Sequence, residues 1–187
     1  MADAASIDLA SHAAHGLLEL IGDILDVAQI ESGHMSINQQ RTHLMTLVES
    51  TARVFEAMAQ QKGLLMSFDL DPKINTDVLI DPLRFRQVLS NLLSNAIKFT
   101  DRGQVRLSVR AKTGEDIGRL KICVLVEDTG IGISTADQLN LFRPFTQVNH
   151  SHKQPGGSGL GLMICRQLCA LMGGALTLTS SVGKGTQ

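Results

Sequence analysis

The chain has no tryptophan and no tyrosine, and six phenylalanines account for all of its 3% aromatic content. So few rings leave little for the stacking that single-stranded nucleic-acid binders rely on. Seventeen basic residues stand against eighteen acidic ones, a net charge of −1, so nothing basic enough to track a phosphate backbone is present. Apolar runs long enough for a membrane span, about 18 residues, are missing too. The first 14 residues have neither the basic start nor the apolar core of a secretion signal. The three cysteines, Cys123, Cys165 and Cys169, sit in apolar patterns and read as core thiols in a reducing compartment, not as disulfide or metal partners. Together these absences predict a cytosolic segment with no nucleic-acid partner and no membrane contact of its own. At 187 residues and 43% hydrophobic content the chain is large enough for a real core and suits one to one-and-a-half domains. No internal repeat or low-complexity tract interrupts it.

The most informative stretch present is Asp81–Thr100, DPLRFRQVLSNLLSNAIKFT. Asp81 can cap a helix and Pro82 suits its first turn, where a missing N–H costs nothing. Phe85, Val88, Leu89, Leu92, Leu93 and Ala96 then recur at helical spacing as one apolar face. At 100° per residue, Arg84, Gln87, Asn91, Asn95 and Lys98 fall within an arc of roughly 80° on another. Asparagine is a poor mid-helix residue, and two of them one turn apart ask for a reason. Amide oxygens beside a lysine suit a hydrated Mg²⁺ carrying a phosphate chain, because that ion wants oxygen ligands and keeps most of its waters. A polar helix face satisfied by neighbouring loops is the plainer alternative.

Before this stretch, residues from about Ile7 to Ser32 read as one helix. Leu17, Ile21, Ile24 and Ala28, with Leu18 and Leu25 alongside, form a near-heptad stripe, and Gly33 ends it. Such a stripe needs a partner helix, expected from a preceding helix of a longer protein or from a second copy of the chain. His12 and His15 near its start read as surface histidines, since neither a neighbouring base nor a proline bend accompanies Ser11-His12. Thr42–Lys62 reads as a second helix, Leu64–Leu70 as a strand, and Val78–Ile80 as a short apolar run. After Thr100, Val105, Leu107 and Val109 alternate as a strand. A polar loop over Lys112–Arg119 leads to Leu120, Ile122, Val124 and Val126, the clearest strand of all.

That strand runs into Asp128-Thr129-Gly130-Ile131-Gly132. A carboxylate at a strand end, with glycines beside it, can accept from the exocyclic amine of adenine while base and sugar approach the backbone. The same pattern also reads as a plain turn. Residues 134–155 have no regular pattern and the length of a lid or binding loop. Gly156-Gly157-Ser158-Gly159-Leu160-Gly161 follows and opens a helix, presenting free N–H groups and a positive dipole end to an anion. Its spacing matches neither a dinucleotide fold nor a Gly-Lys-Ser/Thr loop. Gly173-Gly174 closes that helix, Leu176 and Leu178 begin a strand, and Gly183-Lys184-Gly185-Thr186 forms a last tight turn.

Taken in order, these pieces resemble the ATP-binding catalytic domain of sensor histidine kinases, whose fold is shared with gyrase, the Hsp90 chaperone and MutL. The amide-rich helix resembles the N box, and Asp128-x-Gly-x-Gly the first glycine box. Phe142-Arg143-Pro144-Phe145 resembles the F box, Gly157–Leu162 the second glycine box and Gly183–Thr186 the third. Ile24–Gly33 resembles the second helix of the kinase dimerisation hairpin, and its close relatives look like hybrid, unorthodox kinases of the BvgS type. The resemblance implies a GHKL (Bergerat) fold, an α/β two-layer sandwich with a mixed sheet and helices on one face, preceded by one long helix. Residues 1–36 would be the hairpin helix and connector, and residues 37–187 the nucleotide domain, ending just after the third glycine box.

By the same resemblance the cofactors are ATP and Mg²⁺. Asn95 is the principal metal ligand, with Asn91 near the metal or its waters. Lys98 meets the phosphates, and Phe99 belongs to the nucleotide site. Asp128 takes the adenine amine, and Gly130 and Gly132 lie along the base. Phe142 and Phe145 anchor the lid. Gly157, Ser158, Gly159, Leu160 and Gly161 wrap the triphosphate, and Thr186 completes the adenine pocket. Lid cations Arg143 and Lys153 either reach the γ-phosphate or stay solvated. Implied partners are the nucleotide, the dimerisation helix of a parent kinase, a response-regulator or receiver domain, and a second copy paired through residues 7–32. The family's phosphoacceptor segment (Ser-His-Glu-x-Arg-Thr-Pro) is not among these residues, so no catalytic residue is assigned and the target histidine lies outside the chain. The rival reading is a degenerate regulatory or scaffolding module that pairs with a partner kinase through its first helix. An ATP-driven clamp is disfavoured, because Asn91 stands where those relatives need a water-activating glutamate.

Overall fold

A computed structural model describes residues 2–114, 119–146 and 158–187; the side chains of residues 2–13, His15 and Glu19 lie outside that description. The histidines His12 and His15 are therefore placed only as helix positions. Helix α1 (Ala2–Glu31) leads through a connector to strand β1 (Gln40–His43) and helix α2 (Leu44–Gln61). Strand β2 (Leu65–Leu70), a 3₁₀ turn at Pro72–Ile74, strand β3 (Asp77–Ile80) and helix α3 (Pro82–Lys98) follow. The long strands β4 (Gln104–Thr113) and β5 (Leu120–Asp128) come next, then α4 (Thr135–Gln138), α5 (Gly161–Leu171), β6 (Ser180–Ser181) and β7 (Gly185–Thr186).

Two sheets result. β1 and β3 form an antiparallel ribbon, and the main sheet runs β2-β4-β5-β7-β6 with β2 and β4 parallel and every other pairing antiparallel. α2 and α3 pack on one face of the main sheet, α5 packs beside α3, and α1 lies against α5. The expected mixed sheet with helices on one face, preceded by a long helix, is what the chain forms.

Local chemistry explains the key boundaries. Asp81 is buried, and its Oδ1 accepts from the N–H groups of Leu83 and Arg84 at 3.0 Å each. Its Oδ2 accepts from the Asn38 N–H at 2.9 Å, so one carboxylate caps α3 and holds the connector after α1. The far end of α3 is capped from outside: Lys62 Nζ donates to the carbonyls of Ile97 and Lys98, each at 2.8 Å. Leu89 and Leu93 of α3, Leu44 and Val48 of α2, and Val105, Leu107 and Val109 of β4 form the main core. Each such fully buried Leu or Val contributes about 1.5–3 kcal/mol relative to exposure. A second core joins Met35, Leu160, Met163, Ile164 and Leu168, and Val27, Ile30, Val88 and Met172 pack against it.

One expectation is extended here and one changes. The first helix finds a partner within its own chain: its last turns, through Val27 and Ile30, close the second core over α5. The heptad stripe remains uncovered, with Leu17, Leu18, Ile21, Ile24 and Leu25 between 46% and 67% exposed. Leu176 and Leu178 do not form a strand. The ladder there reaches only Thr179, which exchanges two backbone bonds with Gln187 at 2.9 and 2.8 Å, and no described residue pairs with the segment before it. Without a partner's N–H and C=O groups, an alternating pattern alone does not make a strand.

Candidate functional site

A cleft of about 2200 Å³ opens between α3, the inner face of β5 and the start of α5. It exceeds an ordinary small-molecule pocket of roughly 300–1000 Å³, and its lining runs well beyond the polar stripe, along β5 and the segment after α5.

One wall is the polar stripe of α3. Asn95 Nδ2 donates to Asn91 Oδ1 at 2.9 Å, the i, i+4 pairing of the helix surface. That bond uses the Asn95 nitrogen and leaves its oxygen, a hard donor atom, without a partner among the described residues; Lys98, one turn on, and Phe99 line the same cleft. Lys98 Nζ lies 5.2 Å from the Phe99 ring centre, a cation–π contact that keeps the two together. The lower part of the same stripe faces elsewhere. Arg84 Nη1 pairs with Asp26 Oδ1 of α1 at 2.8 Å and with Gln87 Oε1 at 2.8 Å, while Gln87 Nε2 donates to Asp26 Oδ2 at 2.6 Å. Arg84 and Gln87 thus fasten α1 and do not face the cleft beside the asparagines.

The opposite wall is the end of β5. Burial holds the Asp128 carboxyl above the usual range, and backbone N–H groups of Gly130 and Thr186 partly offset that. The Gly130 N–H donates to Asp128 Oδ1 at 2.8 Å. Gly132 has φ +67°, and a Cβ there would meet the Ser181 carbonyl at 1.9 Å, so only glycine lets the turn lie flat against the β6 end. Ile131 stitches the wall on both sides, donating to the Phe99 carbonyl at 3.3 Å and accepting from the Gly183 N–H at 2.7 Å. Ser180 Oγ accepts from the Ile133 N–H at 2.9 Å and shares a bond of 2.9 Å with Thr186 Oγ1. Ser180 had no signal in the sequence, because a lone serine next to a strand end is commonplace.

The third side is the glycine-rich turn. Gly161 opens α5, and a Cβ there would meet Asn91 Nδ2 at 2.1 Å, so the turn closes directly on the amide pair. Ser158 Oγ accepts from the Leu160 N–H at 3.1 Å and donates to Asp23 Oδ2 of α1 at 2.6 Å. Burial, then the neighbouring Cys169 and the Asp23 charge, push the Cys165 thiol up to about 12.

Of the residues expected at the site, Asn91, Asn95, Lys98, Phe99, Asp128, Gly132, Ser158, Gly159, Gly161 and Thr186 line one cleft. Gly130 lies just under it, where a Cβ would meet the Phe99 carbonyl at 2.3 Å. Leu160 points instead into the second core, 1% exposed. Phe142 is half-buried beneath Arg166, whose guanidinium lies 4.9 Å from its ring. Phe145 departs from the expected anchoring role: it is 70% exposed at φ +58°. Lys153 and Gly157 fall outside the described residues. Among the described residues no three His, Cys, Asp or Glu side chains gather as a cation site. Two amide oxygens fit a hard, well-hydrated ion that keeps most of its waters.

Residues 80–187 match the family model described as histidine kinase-, DNA gyrase B- and HSP90-like ATPase. The virulence sensor protein BvgS of Bordetella bronchiseptica is 50% identical over 186 residues, 98% of this chain. The sensor protein EvgS of Escherichia coli is 41% identical over 181 residues, 97% of this chain. The chain spans only about 15% of the length of either relative. A crystal structure of full-length ShkA in complex with AMPPNP is similar in fold, with a TM-score of 0.78 and 28% identity over 100% of this chain and 37% of that one.

Proposed function

The chain belongs to the histidine kinase-, DNA gyrase B- and HSP90-like ATPase family, and on that premise we propose that it is the ATP-binding catalytic module of a two-component sensor histidine kinase. The observation that carries this reading is the closure of the glycine-rich turn on the Asn91–Asn95 pair, with Asp128 on the facing wall. In this reading the Asp128 carboxylate accepts from the adenine amine, and Gly132 and Thr186 shape the base pocket. The amide oxygens of Asn95 and Asn91 hold Mg²⁺, and Lys98 neutralises phosphate charge. The turn at Ser158–Gly161 offers backbone N–H groups and the positive end of an eleven-residue helix to the phosphate chain. Bound Mg²⁺ supplies charge neutralisation for a transfer that depends chiefly on positioning and electrostatics.

The γ-phosphoryl group then passes to a histidine outside these residues. Asn91 occupies the place of a water-activating carboxylate, which favours transfer over hydrolysis. Residues 1–36 serve as the second helix of a dimerisation hairpin and its connector, and residues 37–187 as the nucleotide domain. The uncovered stripe from Leu17 to Leu25 is where a partner helix or a second copy of residues 7–32 would sit. In the proposed parent sensor the segment lies on the cytosolic side, and the histidine outside these residues hands its phosphoryl group to a receiver domain. No helix among the described residues is long and apolar enough to cross a membrane. That same exposed stripe favours a second reading, a degenerate regulatory or scaffolding nucleotide-binding module that pairs with a partner kinase through its first helix. Calorimetric titration of ATP with and without Mg²⁺ separates the two. Mg²⁺-dependent binding that Asn95→Ala abolishes supports the catalytic module, whereas no heat in any combination supports the degenerate module.

A further inference from the structure

Helix α1 reaches the nucleotide cleft with a charge. Asp23 and Asp26 stand one turn apart on the face that also carries Val27 and Ile30, so docking α1 on the second core brings both carboxylates inward. They meet different partners. Asp26 is matched by Arg84 at 2.8 Å, with both side chains under 20% exposed. Asp23 has a neutral hydroxyl, Ser158 Oγ at 2.6 Å, inside the turn that opens α5. Leu17, Leu20 and Asp23 line the same cleft as Asn91, Asn95 and Gly161.

We propose that Asp23 is a competitor for the phosphate end of the nucleotide, so that docking of α1 and occupancy of the cleft by a triphosphate oppose each other. This rests on the reading of the cleft as a nucleotide site. The Asp23 carboxylate already takes the hydrogen bond of a loop hydroxyl whose neighbouring N–H groups suit an anion, and among the described residues no cation pairs with it. A triphosphate brought to the turn faces like-charge repulsion from Asp23 at short range in a partly dry cleft. Binding then breaks the Ser158–Asp23 bond and swings the Asp23 turn of α1 outward, while Asp26, Arg84 and Gln87 remain as the pivot. By linkage, anything that tightens α1 on the domain weakens ATP by the same factor that ATP loosens α1. The helix that carries the exposed apolar stripe thereby senses the phosphate content of the site.

The test compares ATP, ADP and adenosine binding to the whole chain and to its Asp23→Asn variant, which keeps an acceptor for Ser158 and loses only the charge. The variant should bind ATP about tenfold more tightly, ADP with a smaller gain and adenosine unchanged, because repulsion scales with ligand charge. An equal gain for all three ligands means general loosening, and no gain for ATP means no competition; either overturns the proposal while leaving the nucleotide site intact. Failure of both proteins to bind any nucleotide overturns the reading of the cleft itself and this inference with it. Hydrogen exchange supplies a second readout: ATP should speed exchange of the α1 amides in the Asp23 turn, ahead of the Asp26 pivot, in the unaltered chain and not in the variant. Slower exchange of that turn on adding ATP to the unaltered chain would refute the antagonism.

Discussion

Replacing Gly161 with alanine isolates the metal end of the cleft from the stability of the fold. Gly161 is the first residue of α5 and its φ is negative, so the backbone accepts alanine without strain. Helix propensity favours the change by up to about 1 kcal/mol. Against this, the new Cβ would sit 2.1 Å from Asn91 Nδ2, and ordinary contact begins at 3.4 Å, so the amide must retreat by 1.3 Å (3.4 − 2.1). Such a retreat breaks the 2.9 Å bond to Asn95, a loss of about 1 kcal/mol. The two effects nearly cancel, and the melting temperature should stay within about 4 °C of the parent. Binding should not survive as well. Mg²⁺ tolerates departures of only about 0.2 Å in its ligand distances, and displaced ligand networks typically lose about 10–100-fold in metal affinity. Titration of Mg·ATP alongside a thermal melt reads both quantities. An alanine variant with parental melting and parental Mg²⁺-dependent affinity would show that the amide pair does not hold the metal.

Asp128→Asn should abolish ATP binding yet raise stability at neutral pH, since it removes a half-buried charge. The folded carboxyl titrates above its unfolded value, so the parent gains stability as pH falls through the folded pKa, and the variant's advantage should shrink from pH 7 to pH 4; denaturant unfolding across that range checks the sign. Arg84→Met leaves Asp26 partly buried with only Gln87, and should cost about 1–3 kcal/mol, less than a fully buried pair. It should also release α1, seen as faster hydrogen exchange over Val27–Glu31. Thiol labelling at pH 8 should modify exposed Cys123 first and Cys169 slowly. Cys165, pushed up to about 12 and buried, should react only on unfolding; early labelling of Cys165 by mass spectrometry would contradict the packing of α5.

What could be seen in advance followed from short-range periodicity. The caps at Asp81 and Pro82, the apolar face of α3, the alternation of β4 and β5 and the three glycine-rich turns are each set by neighbours within a few residues. So is the Asn91–Asn95 pair, whose spacing already placed both amides on one stripe. The seat of α1 was not visible, because its docked face is a mixed one. Asp26 and Asp23 bond to partners 58 and 135 positions away, and Val27 and Ile30 pack on a core shared with α5, whereas the regular heptad stripe stays in solvent. Arg84 and Gln87 were grouped with the asparagines for the same reason: angular position on a helix says which residues share a side, not which neighbour each side meets. Leu176 and Leu178 show the converse limit, an alternating pattern with no described strand beside it.

The two ends of the cleft are fastened by different means. Around Asp128 the wall is stitched by main-chain bonds, Ile131 to Phe99 and Gly183 to Ile131, and the Lys62 ammonium clamps the last carbonyls of α3. Around Ser158 the fastening is made by side chains that can let go one at a time. In the proposed reading the base wall thus has a main-chain frame that holds the Asp128 carboxylate in place. Timing, in contrast, is written in exchangeable side chains facing α1. A lineage could retune when the site engages its nucleotide, by altering one carboxylate or one hydroxyl, and never disturb which nucleotide it engages.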